Sequence, residues 1–476
     1  MENATLFLLL KQMDTRRRNQ FRQFVFAPFA NKHLEVQRLC EAVLQGAPDF
    51  ELDKTALYQA ATGDSAFRET VFNNLMSDLL QLLYDFLVWE QLQEDTMLRQ
   101  DLLLKKLIPE DIPKASHRQL RLMERHLSGS SLQNGQYHYT AAQFNRHHDQ
   151  QLLLEGNRKY DERLQRQNDH LDLYFLIEKL RLACDMTSRN TVVQAGYQCT
   201  HLETVRQMYR QLTTFHPVAA IYHAALLMLE QAGERTHFEA LIRLLQQHQS
   251  CLPADELQVL HSYALNYCVK RINFGEPEYY REVLNLYQSM LHNKLVFNHQ
   301  GQITQWTYIN IATAGMRLGE LDWTAHFLQE YRPFLPPDIR DNVFQHNLAS
   351  LYFAKGQYRE TLSKLQEVAF TDAFYGLSAK MIQIKCYFEL QETEAALSLL
   401  ESARMFLRRN KRLSGYQIRS AQHFFQVAGK LLRFREGRRL RPVIEKEVAQ
   451  IQAEIRALSP LANRDWCEEK AGGLMG

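Results

Sequence analysis

The 476-residue sequence contains few of the residues that interrupt helices, with 19 glycines and 12 prolines. Its seven cysteines lie far apart, form no CxxC pair and are odd in number, which argues against a disulfide framework and a zinc site. No apolar run reaches the length of a membrane span, and the run from Leu6 to Leu10 is too short and wrongly flanked for a secretory signal. We therefore expect a cytoplasmic chain with reduced cysteines, no metal site and no membrane contact.

The residues that are abundant favour helices. Apolar residues make up 45% and charged residues 23% of the chain, which is typical of a folded protein rather than a disordered one. Apolar residues recur with the helical period between Phe72 and Trp89 and again between Leu171 and Ala183, so each stretch predicts a buried helical stripe. We predict an all-α fold, in which a helical N-terminal module is followed by an α-solenoid of TPR-like helix pairs.

Two breaks divide the first half of the chain. The segment IPEDIPKAS at 108–116 contains two prolines, and SGSSLQNGQ at 128–136 is rich in small polar residues. A third change of texture follows Pro217. We predict four segments: a helical N-terminal module at 1–112, a helical middle segment at 113–216, a TPR-like repeat array at 217–408 and basic capping helices at 409–476.

Internal similarity appears after Pro217. The chain reads WTYINIATAGMRLGELDW around Gly319, VFQHNLASLYFAKGQYRE around Gly356, 37 residues on, and SAKMIQIKCYFELQETEA around Gln391, a further 35 residues on. These offsets lie close to the period of about 34 residues of TPR repeats, and they predict about five helix pairs between 218 and 408. Gly356 is expected in the turn between the two helices of a pair, where a positive φ suits glycine.

Several stretches also carry a resemblance. They are FRQFVFAPFANK at 21–32, NLMSDLLQLLYDFL at 74–87, LDLYFLIEKLRLAC at 171–184, YALNYCVKRIN at 263–273, WTYINIATAGMRLGELDW at 306–323, FLRRNKRLS at 406–414 and NRDWCEEK at 463–470. Over nearly its whole length the chain resembles an uncharacterised family of large helical-repeat proteins from Bacteroidota. The resemblance implies a TPR-like fold and no particular activity. The chain departs from the family pattern at 27–30, where the family has Ser-Pro-Tyr-Phe.

Motifs that would indicate catalysis are missing. The sequence has no phosphate loop, nucleotide fingerprint or metalloprotease helix, so we expect a non-enzyme without catalytic residues or a cofactor. The nearest approach to a metal cluster is the run from His147 to Asp149, with His138 and Glu155 close by. Adjacent helical positions point about a quarter-turn apart, so we interpret this run as a solvated helix face.

The aromatic residues Trp306, Tyr308, Trp323 and Phe327 form a second cluster in the sequence. Such a cluster can be a binding platform. Because these residues follow helical spacing within the repeat, we favour packing between layers of helices instead.

The first helix of each pair would form the inner face of a TPR-like array. A polar row falls on these helices, and it could hydrogen-bond an extended peptide. This candidate partner-binding groove consists of Asn310, Thr313, His346, Asn347, Ser350 and Lys385. It leads us to predict a non-enzymatic scaffold or adaptor that binds a protein partner, with helix capping or plain solvation of these side chains as the structural alternative.

Charge is unevenly distributed along the chain. The stretch 404–441 contains twelve Lys and Arg residues and a single acid, although the whole chain has a net charge of only +2. A segregated field of this kind attracts acidic surfaces or phosphates, which makes nucleic-acid or polyanion binding the alternative function. The densest part, a candidate basic patch, is Arg408, Arg409, Lys411 and Arg412. Internal pairing with acids downstream, such as Glu454, would instead make these residues structural. The sequence indicates no oligomeric state.

Overall fold

The structure is a computed structural model that describes residues 5–156, 160–193, 196–367, 373–410, 413–436 and 441–475. Within these ranges the chain forms 23 α-helices and no strand, and one isolated bridge pairs Phe297 with Ile303. The prediction of an all-α fold is confirmed.

The chain divides into two compact units. The first comprises Met1–Lys179 and Val205–Gln211, and the second comprises Leu180–Thr204 and Leu212–Gly476. The four segments proposed from the sequence stay a prediction, since this division follows contacts rather than sequence texture.

The first unit is built from short and medium helices. They are α1 (Thr5–Gln12), α2 (Thr15–Phe26), α3 (Leu34–Gln45), α4 (Lys54–Thr62), α5 (Glu69–Glu94), α6 (Thr96–Leu107), α7 (Pro113–Gly129) and α8 (Gly135–Leu154). The long helix α9 (Arg163–Val193) continues into the second unit after Lys179, and α10 (Leu202–Arg210) follows it.

Acidic residues begin three of these helices. The carboxylates of Asp14, Asp53 and Asp95 each accept a hydrogen bond from the backbone N–H three residues on, at 2.7 to 2.8 Å. Each hydrogen bond satisfies an N–H group that has no partner within the helix, and it stabilises that helix by about 1 kcal/mol. The sequence therefore fixes where α2, α4 and α6 start.

The two apolar stripes expected in this half have different outcomes. In α5, the predicted stripe is confirmed, because Phe72, Leu79 and Phe86 are buried in the core that α1 to α5 share. In α9, Leu171 and Phe175 are exposed, so the predicted stripe is wrong at these positions. The stripe is confirmed at Ile177, Leu180 and Ala183, which are buried, and Leu176 and Cys184 are buried beside them.

Five helix pairs follow in the second unit. They are α11 (Pro217–Glu230) with α12 (Arg235–His248), α13 (Ala254–Asn273) with α14 (Tyr279–His292), α15 (Gln305–Arg317) with α16 (Leu321–Tyr331), α17 (Arg340–Ala354) with α18 (Tyr358–Gln366), and α19 (Ala373–Glu389) with α20 (Thr393–Arg409). The two helices of each pair pack against each other, and first helices of neighbouring pairs also contact one another between α11 and α13, between α15 and α17 and between α17 and α19.

The turns inside the last three pairs share one conformation. Gly319, Gly356 and Gln391 have φ angles of 73°, 75° and 62°. In all three turns the N–H of the following residue donates to the carbonyl five residues back at 2.9 Å, which is the Schellman closure of a helix. The placement of Gly356 in the turn is thus confirmed, and the alignment of Gln391 with the two glycines holds at the level of backbone geometry.

Small residues let the paired helices approach closely. Ala312, Ala349 and Ala403 are fully buried. A Cβ built on Gly315 in α15 would lie 2.2 Å from the hydroxyl of Thr324 in α16, so only glycine fits there. Close approach of this kind lets each pair bury its apolar face against the next, which contributes most of the stability of stacked helices.

Three helices complete the second unit: α21 (Gly415–Glu436), α22 (Arg441–Ala457) and α23 (Arg464–Gly472). Phe424 from α21 and Trp466 and Cys467 from α23 join Phe388 of α19 in one apolar cluster. The last helix is therefore anchored in the core rather than lying loosely on its surface.

Candidate functional site

A cavity of about 570 Å³ lies in the second unit, where the first helices of the last three pairs meet α23. One side is formed by side chains of α15, α17 and α19, and the other by Asn463 and by Asp465, Trp466 and Glu469 of α23. Its volume is within the range of about 300–1,000 Å³ that is usual for small-ligand sites.

The structure brings five of the six predicted groove residues to this cavity: Thr313, His346, Asn347, Ser350 and Lys385. The sixth, Asn310, lies outside it and hydrogen-bonds the side chain of Tyr287. Asn347 and Ser350 each bond a backbone carbonyl four residues back in their own helix, Asn347 at 2.7 Å and Ser350 at 3.0 Å. Those two side chains thus have part of their hydrogen-bonding capacity used within α17.

Lys385 is the most unusual side chain in the cavity. It is 8% exposed, and its Nζ donates to Oδ1 of Asn463 at 3.0 Å and lies 4.4 Å from the centre of the Phe353 ring. Among the described residues, no carboxylate lies within ion-pair distance of it. Burial, together with the charge of Arg317, lowers the pKa of Lys385 to about 8.

His346 lines the same cavity from the neighbouring helix α17. Its Nε2 is 2.9 Å from Oγ of Ser378, while its Nδ1 is buried and has no hydrogen-bond partner in the described part of the chain. Burial lowers the pKa of His346 to about 4, so the ring is neutral at pH 7. The cavity therefore contains one buried cation and a neutral imidazole.

Ion pairs tie α23 to the repeat helices. Arg317 of α15 contacts Asp465 at 2.5 Å, and Glu389 of α19 accepts hydrogen bonds from the indole N–H of Trp466 at 3.0 Å and from Lys470 at 2.9 Å. That α23 forms one side of the cavity was not predicted from the sequence. The only available signal was Trp466 next to Cys467, two residues that are usually buried, in an otherwise charged segment.

The basic patch is only partly described. Arg408 and Arg409 are exposed at the end of α20, and Lys411 and Arg412 lie outside the described residues.

Other cations of the same stretch bond within the unit. Arg404 pairs with Glu401 at 2.8 Å, and Lys430 pairs with Glu454. The guanidinium of Arg435 lies 3.9 Å from the centre of the Phe388 ring. Three cations of the stretch are thus partnered inside the protein.

The interpretation of the run from His147 to Asp149 as a solvated face is wrong for His147, which is 3% exposed, and the nearby His138 is also buried, at 4%. His147 contacts the carboxylate of Asp101 at 2.7 Å, and His138 lies 2.9 Å from His170. Each histidine thus has its own partner inside the first unit. Within the described ranges, no group of three or more His, Cys, Asp or Glu side chains is placed to hold a metal ion.

The aromatic cluster is divided by the structure. Tyr308 and Phe327 are buried with ring centres 5.1 Å apart, and Trp323 stacks on Phe327 at 5.7 Å. Trp306 is 47% exposed and packs instead against Phe374 at the edge of the cavity. Core packing therefore accounts for three of the four residues.

A comparison with known proteins finds no family model, no curated protein and no solved structure that matches the chain. In the part of the chain that the structure describes, no helix has both the length and the apolar character needed to cross a bilayer.

Proposed function

We propose that the chain is a non-enzymatic cytoplasmic scaffold or adaptor, related to the Bacteroidota family that it resembles, which binds a protein partner through a TPR-like α-solenoid. The observation that carries the proposal is the meeting of Thr313, Ser350 and Lys385, from three successive helix pairs, at one cavity. Stacked helix pairs commonly present such a shared face to an extended segment of another protein.

The composition of this face supports a protein ligand. Apolar side chains such as Phe353 and Met381 alternate with the polar row, and Trp306 is exposed nearby. A mixture of aromatic anchors and hydrogen-bonding groups is typical of protein interfaces, whereas a surface for nucleic acid would be dominated by Lys and Arg.

The test uses two matched variants of the full chain. Ser350 lines the cavity, whereas Ser363 is exposed on α18 and lies outside it. Arginine in place of Ser350 would obstruct the cavity, and the same change at Ser363 would add equal charge elsewhere. In capture from native cytoplasm, the unaltered chain and Ser363→Arg should retain one stoichiometric protein that Ser350→Arg loses. Equal capture by both variants would refute this binding face.

Binding of nucleic acid or another polyanion is the second candidate. It is favoured by the exposure of Arg408 and Arg409, for which the described residues provide no ion pair. Changing both, with Lys411 and Arg412, to Gln should abolish capture of RNA or DNA that dissociates as salt is raised. Unchanged nucleic-acid capture by this variant, or none by the unaltered chain, would remove the candidate.

A further inference from the structure

One of the charges that line the cavity has no direct ion-pair partner. Arg317 is paired with Asp465 at 2.5 Å, and Glu469 is paired with Lys470 at 2.7 Å. Lys385 is the remaining lining cation, and no described carboxylate reaches it. Glu389, which Lys470 also contacts at 2.9 Å, attracts Lys385 only from beyond ion-pair distance, so the cavity contains one buried cation without a direct ion pair.

Burial of that charge is only partly compensated. An ammonium group has three N–H donors, of which Lys385 gives one to Asn463, while the ring of Phe353 faces the charge. A buried ammonium without an anionic partner is unfavourable, and a ligand anion that reached it would recover the missing interaction.

Most of the remaining lining is apolar or neutral. Met381 lines the cavity one turn before the lysine in α19, Ile309, Phe374 and Ile382 line other parts of it, and His346 carries no charge at pH 7. A ligand that fills this space thus needs an apolar body in addition to its anionic group.

A single negative charge matches the cavity better than two. The other charged side chains that line the cavity are Arg317, which is paired with Asp465, and the carboxylates of Asp465 and Glu469 on the facing helix. A dianionic phosphate would leave its second charge beside these acids, whereas a carboxylate is neutralised by one ammonium.

We propose that this cavity binds a small monocarboxylic acid with an apolar body, whose carboxylate accepts hydrogen bonds from Nζ of Lys385. The hydrocarbon part of the ligand lies along Phe353 and Met381. This site goes beyond the scaffold function, because a small acid binds here without a protein partner.

The experiment titrates the full chain at pH 7 with 4-phenylbutyrate and with its uncharged amide, using isothermal titration calorimetry. The acid should bind at least about tenfold more tightly than the amide, which is the usual effect of a hydrogen bond to a charged group. Affinity for the acid should fall as the pH is raised from 7 to 10, because the ammonium of Lys385 loses its proton in that range.

Two lysine variants separate the site from general charge effects. Lys385→Met keeps the length of the side chain and removes its charge, so the preference for the acid should disappear. Lys380→Met is the matched control, because Lys380 lies on the same helix but contacts Ser402 and Phe406 and does not line the cavity. This variant should bind the acid as the unaltered chain does. Equal affinity for acid and amide, or undiminished binding by Lys385→Met, would overturn the proposal.

A second measurement needs no variant. Trace acetylation of the unaltered chain with acetic anhydride, read by mass spectrometry, should show Lys385 protected by 4-phenylbutyrate and Lys380 unprotected. No protection of Lys385 would also overturn the proposal.

Two further ligands identify the source of the anion. Inorganic phosphate should bind more weakly than the acid, and stronger binding would contradict the single-charge argument. The dipeptide acetyl-Phe-Leu with a free carboxylate tests whether a chain end is the real ligand. If the dipeptide binds and 4-phenylbutyrate does not, a small acid is excluded. The scaffold proposal is judged separately, by protein capture with the Ser350 and Ser363 variants in the absence of any acid.

Discussion

Replacing Gln391 by glycine should stabilise the second unit, and replacing Gly356 by alanine should destabilise it. Both residues occupy the left-handed conformation in equivalent turns, with φ angles of 62° and 75°. A residue with a Cβ is strained there by about 1–2 kcal/mol. Glycine avoids that strain but loses about 0.5–1 kcal/mol more chain entropy on folding. Each substitution should therefore change the free energy of unfolding by roughly 0.5–1 kcal/mol, with opposite signs.

The surroundings of both residues make this a test of backbone conformation. A Cβ added at Gly356 would meet no atom within 4 Å, so alanine introduces no clash. Gln391 is exposed, and its side chain forms no hydrogen bond with the described residues, so glycine removes no contact. Packing thus contributes little to either difference, and the sign is decided by φ alone.

The assay is urea unfolding of the full chain followed by tryptophan fluorescence, since Trp306, Trp323 and Trp466 report on the second unit. Thermal unfolding should shift by roughly 1–3 °C in the same directions. Gln357→Ala, at an exposed neighbouring position, should be nearly silent, and Gly356→Val should be worse than alanine because a β-branched side chain adds rotamer strain. Shifts of the same sign for Gln391→Gly and Gly356→Ala would refute the shared turn geometry.

Burial of Lys385 should make the second unit more stable as pH rises from about 8 to 10.5, because the unfolded chain then holds a proton that the folded chain has released. In Lys385→Met the free energy of unfolding should rise by up to about 3 kcal/mol less over this pH range. Identical pH profiles of urea unfolding for the variant and the unaltered chain would contradict the burial of Lys385. For His346, whose folded pKa is about 4, stability should be lost as pH falls from 6.5 towards 4. His346→Gln should show a shallower loss in the same assay, and an equally steep one would argue against burial of the ring. Far-UV circular dichroism should be dominated by helix, and a strand content near about 20% would contradict the all-α fold.

Local sequence patterns predicted the helices and the repeat register because both depend on short-range physics. Gly319 and Gly356 end helices through their own backbone freedom, and the polar residues of α15, α17 and α19 follow from helical period and repeat offset. These features need only neighbours within one or two turns, so a single sequence contains them. The meeting of five predicted groove residues at one cavity follows from the same register.

Contacts between distant segments could not be predicted in this way. Nothing local indicates that Asn463 would reach Lys385, 78 residues earlier, or that His147 would find Asp101, 46 residues earlier. Burial of His138 and His147 depends on which other helices pack over α8. The burial of a polar residue cannot be predicted from its residue type, because most polar residues are exposed. The error in α9 has the same origin, because its partners select the buried face.

Arg317 and Asp465, which contact each other, lie 148 positions apart in the sequence. The two sides of the cavity are therefore synthesised at different times. A ribosome adds about 5–20 residues per second, so α23, which forms the second side of the cavity, is synthesised about 7–30 s after α15. During that interval the ammonium of Lys385 emerges without Asn463 and stays hydrated. The repeat helices can stack as they appear, but the lysine gains its hydrogen bond to Asn463 only when the segment that carries α23 docks. The cavity is therefore completed late in synthesis, and any ligand that needs both of its sides is excluded from the nascent chain.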